Sequence, residues 1–306
     1  MKNIIKKVPI PLAGVMLGVT ALGNLLQSYS EGVRLFCGAI AVCLCILIIA
    51  KLILFPKMIK EDMANPIMAS VAANFPMALM LLSGYAKPFI GSAAVWIWYF
   101  AIALHVILII YFTIKFMAKP VLPKVFASYF IVYVGIAAGA VVAPAHEKQN
   151  VGTALFWFAF VTFLLLLCMI SYRYMKLKEI PEPARPLICI FAAPASLCLA
   201  GYIQSVEQKS LGMILFLAII GFILYLFALV QLPKLLRLKF YPSYASFTFP
   251  FVISAIGLKM TMAVLGAMEK PQPWLQYVVL VETVIAVILV GYTLIRFVQF
   301  LFVKAK

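Results

Sequence analysis

The chain has 306 residues, 66% of them hydrophobic and only 11% charged, with a mean hydropathy of +1.12. A soluble globular chain is about half apolar and about a quarter charged, so this composition excludes that class. The net charge of +16 does not indicate nucleic acid, because no connection between apolar runs is long enough to fold a basic face. Cys37, Cys43, Cys45, Cys168, Cys189 and Cys198 lie inside apolar runs without CxxC or Cys/His spacing, so neither a disulfide framework nor a metal site is expected.

A bilayer-spanning helix needs about 20 mainly apolar residues. Runs of that length fall at 11–30, 35–55, 66–85, 93–115, 124–144, 153–173, 186–205, 211–232, 243–267 and 275–301. They predict an all-α polytopic membrane protein with ten transmembrane helices in a single domain, 1–306. The run after Lys6 and Lys7 lacks a signal-cleavage site and is expected to continue as the first helix. Basic residues set the orientation. The N-terminal segment, the even-numbered connections and the C-terminal end together hold 19 Lys and Arg; the odd-numbered connections hold five, Arg34, Lys87, Lys148, Lys209 and Lys270. That imbalance predicts a multi-pass plasma (inner) membrane protein with both termini cytoplasmic.

Short odd-numbered connections pair the helices as five hairpins, approximately 11–55, 66–115, 123–173, 186–232 and 242–301. Each odd helix opens at a proline (Pro11, Pro66, Pro123, Pro186, Pro242), at intervals of 55, 57, 63 and 56 residues. Proline in the first turn is tolerated because that N–H has no helical partner, and internal repetition of this kind is a transporter signature. Equal windows hold 38 small residues (Gly, Ala, Ser, Thr) per 100 in the odd helices and 20 in the even ones. Small residues allow close approach, so odd helices are predicted to form an inner ring around a pore and bulky even helices an outer ring against lipid. Tight packing without a pore is the alternative. Pro76, Pro194 and Pro250 fall eight to ten residues into the third, seventh and ninth helices, where each is expected to kink the helix near the bilayer centre.

Several motifs carry a family likeness: Pro11-Leu12-Ala13-Gly14 with Gly18, Asn65-Pro66 through Asn74-Phe75-Pro76, Ala192-Ala193-Pro194-Ala195-Ser196-Leu197, and Tyr244 through Thr248-Phe249-Pro250. In this order and spacing the chain resembles the tellurite-resistance/dicarboxylate transporter family, which includes the plant guard-cell slow anion channels. The resemblance implies a quasi-fivefold ring of hairpins, a homotrimer with one pore per subunit, and small anions such as chloride, nitrate, sulfite, tellurite or malate as substrates. It also implies a mid-membrane phenylalanine plug, which falls on Phe249.

Read from the residues alone, Phe249 is an apolar side chain beside a proline, fit either for packing or for occluding a passage. Phe75 stands in the same relation to Pro76 and is the second candidate. Ser70, Ser128, Ser196, Ser246, Thr248 and Ser254 offer neutral donors along the odd helices. Lys259 and Glu282 fall at similar depth in one hairpin and are expected to form an intramembrane pair; alternatively Lys259 faces the pore. His105, on an even helix, is expected to pack with a hydrogen bond. The odd helices lack Asp and Glu, which opposes a cation pathway, and no cofactor motif or nucleophile–histidine pair suggests an enzyme. The sequence therefore predicts an anion channel that needs no cofactor. The alternative is a coupled carrier or exporter of dicarboxylate, sulfite or tellurite oxyanions, with Glu282 or His105 linked to protons.

Overall fold

The computed structural model describes residues 2–302, and every regular element among them is helical. Lys304 and Lys306, counted in the charge balance, lie outside the described residues. A short α1 (Lys2–Lys7) leads into α2 (Leu12–Leu26), and Ser30 caps α3 (Glu31–Leu54) by accepting the Val33 N–H at 3.4 Å. After α4 (Pro56–Asp62), the Asn65 side chain caps α5 (Pro66–Val71), and the chain restarts as α6 (Asn74–Ile90). It reverses at Gly91, whose φ of +60° favours glycine, into α7 (Ala94–Phe112), which ends in a π-helical turn, Thr113–Met117. Two short helices follow, α8 (Tyr129–Tyr133) and α9 (Ala137–Val142), then the continuous α10 (Gln149–Lys176). A 3-10 segment, Glu182–Ala192, runs into α11 (Pro194–Ser205), followed by α12 (Leu211–Leu235). A second 3-10 segment, Pro242–Phe247, precedes α13 (Phe249–Ala267), and α14 (Leu275–Phe302) ends the described chain.

Seven helical stretches are long and apolar enough to cross a membrane, one of them the reversing stretch Pro66–Met117. Leu12–Leu26 and Ala137–His146 are apolar but shorter. Helical elements occupy all ten predicted runs. The odd-numbered runs, however, are mostly not the continuous helices expected. Pro76 is the third residue of α6, Pro194 the first of α11 and Pro250 the second of α13. Each proline therefore begins a second helical segment instead of bending a single helix. The reason is local: in a first turn the missing N–H and the ring meet no i−4 carbonyl, so breaking the helix there is easier than kinking it. Pro123 and Pro186 likewise sit in 3-10 structure and do not open an α-helix.

The fifth run breaks without a mid-run proline, at residues 134–136 around Gly135. His105 of α7 stabilises that break. A carbonyl can only accept, so His105 Nε2 donates to Val132 O, at 2.8 Å, and supplies a donor to backbone that the interrupted helix leaves short. This is the hydrogen-bonded packing role expected of His105.

Five units pack in a cyclic order: α2 on α6, α6 on α9, α9 on α11, α11 on α13, and α13 back on α2. α3, α7, α10, α12 and α14 lie against members of this cycle. Burial separates the two sets. In Glu182–Ser205, 94% of the apolar window is buried, against 28% in Leu211–Leu235. The outer helices expose Phe36, Ile53, Trp96, Ile107, Val230 and Ile288, surface that hydrocarbon covers and water would not.

Candidate functional site

A cavity of about 360 Å³ lies between α2, α5, α6, α8, α11 and α13. Its wall includes Gly14 of α2, Met68 of α5, Asn74 of α6, Phe130 of α8, Leu187 and Pro194 around the start of α11, and Phe249 of α13. No lining residue is charged, and most of the wall is apolar.

Phe249 is the first residue of α13 and only 5% exposed, yet it borders this cavity. The residue before it is anchored to α2: Thr248 Oγ1 donates to Gly14 O at 3.0 Å and to Ala245 O at 2.7 Å. Gly18 makes the approach possible, since a Cβ there would stand 2.4 Å from Thr248 Cβ. Two features of α2, a small residue at Gly18 and the Gly14 carbonyl, thus fix where Phe249 meets the cavity. Phe75, the second candidate, is half-buried against the core and does not line the cavity; neither does Pro76. Pro194 and Pro250 do.

Three of the six hydroxyls expected along the odd helices, Ser70, Ser246 and Thr248, donate to backbone carbonyls. Ser70 Oγ donates within 2.8 Å of Ile67 O and also meets Ser128 Oγ at 2.8 Å, joining α5 to the segment before α8. Ser246 Oγ donates to Pro186 O at 2.6 Å and so ties the two 3-10 segments together. Of the six, Ser246 alone borders the cavity. Ser196 is buried under Gly221 of α12, and Ser254 stands beside Glu282. Ser70, Ser128, Ser246 and Thr248 thus fasten one segment to another.

The expected Lys259–Glu282 pair is not formed. Lys259 Nζ donates to Leu25 O at 3.0 Å and to Ser28 Oγ at 2.5 Å, and lies 5.2 Å from the centre of the Tyr29 ring. The last carbonyls of α2 lack helical donors and carry the negative end of its dipole, so they satisfy the ammonium in place of the carboxylate. Nor does Lys259 line the cavity. Glu282 is 1% exposed, beside Ser254 and Tyr225, and neither of its oxygens finds a partner in hydrogen-bond geometry. The one ion pair among the described residues is Arg34–Glu31.

Two features of the cavity escape the sequence. Asn74 places a buried amide on its wall, its Nδ2 close to Gly14. The first residues of three helices also line it: Asn74 of α6, Pro194 of α11 and Phe249 of α13. A helix N-terminus carries roughly half a positive charge, and no charged side chain stands on this wall to oppose it. The prolines signal these breaks in the sequence, but only as defects, not as helix starts aimed at one point.

Broken inner helices, a lipid-compatible exterior and an apolar cavity between the inner helices define a multi-pass helical membrane protein. The family model for SLAC1, voltage-dependent anion channels, matches residues 7–298. The chain belongs to that family, as the resemblance carried by its proline motifs implies. No curated protein matches the chain.

Proposed function

We propose that the protein is an anion channel of the plasma (inner) membrane, in which small inorganic or organic anions cross each subunit along the axis of the five-unit cycle. In this reading ten crossings form five hairpins in a quasi-fivefold ring, both termini are cytoplasmic, and three subunits assemble as a homotrimer. The broken helices place three positive N-terminal ends at a wall without carboxylates, which favours anions over cations. Phe249 is the gate: an apolar ring at the end of an apolar cavity blocks or dewets the path. Transport, not catalysis, is the activity. The observation that carries this reading is the convergence of the α6, α11 and α13 N-termini on an uncharged cavity bordered by Phe249.

The test is electrical. Purified protein in a planar bilayer under a potassium chloride gradient should reverse near the chloride equilibrium potential. Reversal near that of potassium refutes anion selectivity. A second reading, a coupled carrier or exporter of dicarboxylate, sulfite or tellurite oxyanions, draws support from Glu282, a buried carboxylate without a cation partner. The same recording separates the two, because a carrier gives flux without resolvable single openings.

A further inference from the structure

A second cavity, of about 980 Å³, lies between the ends of α10 and α12 and the chain that enters the first 3-10 segment. Four basic residues line it, Arg173, Lys178, Arg185 and Lys234, against one acidic residue, Glu179. Arg173 is the unusual one. It is 1% exposed, and its guanidinium lies 4.8 Å from the Phe126 ring centre and 4.9 Å from that of Tyr174. Its nitrogens reach only carbonyls, at long range: Leu177 O at 3.3 Å, Pro123 O at 3.3 Å and Glu179 O at 3.4 Å. Nε has no partner at all. Charge-assisted hydrogen bonds normally close to about 2.7–2.9 Å, so this buried cation is poorly satisfied. None of the four forms an ion pair among the described residues.

A buried charge needs a counter-charge, and among the described residues no carboxylate, Glu179 of the same wall included, forms an ion pair with it. We propose that this cavity binds a phosphate-bearing anion, the headgroup of an anionic phospholipid. Three features favour a lipid over a free ion. Lys178, Arg185 and Lys234 are exposed at the rim, as headgroup ligands are. Phe126, Ile188, Leu235 and Leu238 give the same wall an apolar side on which acyl chain can lie. The flanking α10 and α12 expose Leu165 and Val230, so the cavity opens beside lipid-facing surface. Pro181 lines both this cavity and the central one, so a bound headgroup would press on a wall that they share.

The test uses the full chain in a non-ionic detergent, with thermal unfolding read against added short-chain phosphatidylglycerol, short-chain phosphatidylcholine or inorganic phosphate. Phosphatidylglycerol should raise the melting temperature saturably, and phosphatidylcholine should not. In the triple variant K178Q/R185Q/K234Q, which leaves buried Arg173 in place, the apparent affinity should fall roughly 100-fold, since each basic residue near a membrane surface is worth about fivefold. The control triple K57Q/K60Q/K119Q removes equal charge elsewhere and should keep wild-type affinity. A shift with inorganic phosphate alone, abolished by the first triple, identifies the free anion as the source and keeps the phosphate site. An equal loss in both triples, an equal shift with phosphatidylcholine, or no shift with either anionic probe overturns the proposal.

Discussion

Replacing Phe249 by alanine separates a gate from a packing residue, because the two roles predict opposite changes in current and stability. Phe→Ala in a close-packed interior destabilises by about 3–5 kcal/mol through lost burial and the cavity left behind. Phe249 already borders a void of about 360 Å³, so part of its surface touches no protein atoms and its loss should lie below that range. Phe251, two residues on, is the reference. It is fully buried, with its ring edge-on to Tyr225 at 5.6 Å, and Phe251→Ala should show the full loss. The functional effect should be the reverse. Removing the Phe249 ring widens the apolar constriction, and lowering the barrier to ion entry by about 1.4–2.8 kcal/mol raises the current tenfold to a hundredfold.

Both variants are measured in two ways, by melting temperature in detergent and by anion current in a bilayer at matched protein density. The gate reading expects a modest melting shift and a large current for Phe249→Ala, with the reverse pattern for Phe251→Ala. If Phe249→Ala melts as early as Phe251→Ala and passes no more current than the wild type, the ring is packing and the reasoning fails. Phe75→Ala serves as a second comparison. Its half-buried ring is off the cavity wall, so its current should stay at the wild-type level.

Gly18→Val places a branched side chain where Thr248 stands, and overpacking of this kind destabilises by about 1–3 kcal/mol. It should also displace Thr248 from Gly14 O and raise basal current; a tighter, silent protein would contradict the clamp assigned to α2. Lys259→Gln removes a donor from the end of α2 and should destabilise by about 0.3–1 kcal/mol with the reversal potential unchanged, and a shifted reversal potential would restore Lys259 to the ion path.

The repeat of prolines and the excess of small residues already separate inner from outer helices in the sequence, because each follows from composition at a known period. What those signals could not convey is register across the repeat. The third, seventh and ninth inner helices restart near mid-length, and a proline marks a broken backbone without saying whether the chain bends or begins again. The bonding of the Ser and Thr residues is hidden from the sequence for a related reason. Composition counts donors, but the hydroxyls of Ser246 and Thr248 bond backbone carbonyls of neighbouring segments, Pro186 O and Gly14 O. Lys259 and Glu282 look like partners because a hairpin sets them level. Depth says nothing about azimuth, and the end of α2 lies on the side that Lys259 faces.

Why the cavity wall should use helix ends instead of arginines follows from magnitudes. At an effective dielectric of about 20, two unit charges 4 Å apart attract by about 4 kcal/mol. A helix end, with about half a charge, therefore offers about 2 kcal/mol at the same distance. The difference is about 2 kcal/mol, and if it all appears in the off-rate, an anion would stay about 30 times longer on an arginine than on a helix end. An ion path must offset part of the dehydration cost without holding the ion, since conduction needs entry and exit alike. Fixed, modest, neutral-atom dipoles meet both demands. On the channel reading proposed above they also account for the distribution of charge, with most basic residues in the connections expected on one side, where they would concentrate anions, and none on the cavity wall, where they would retain them.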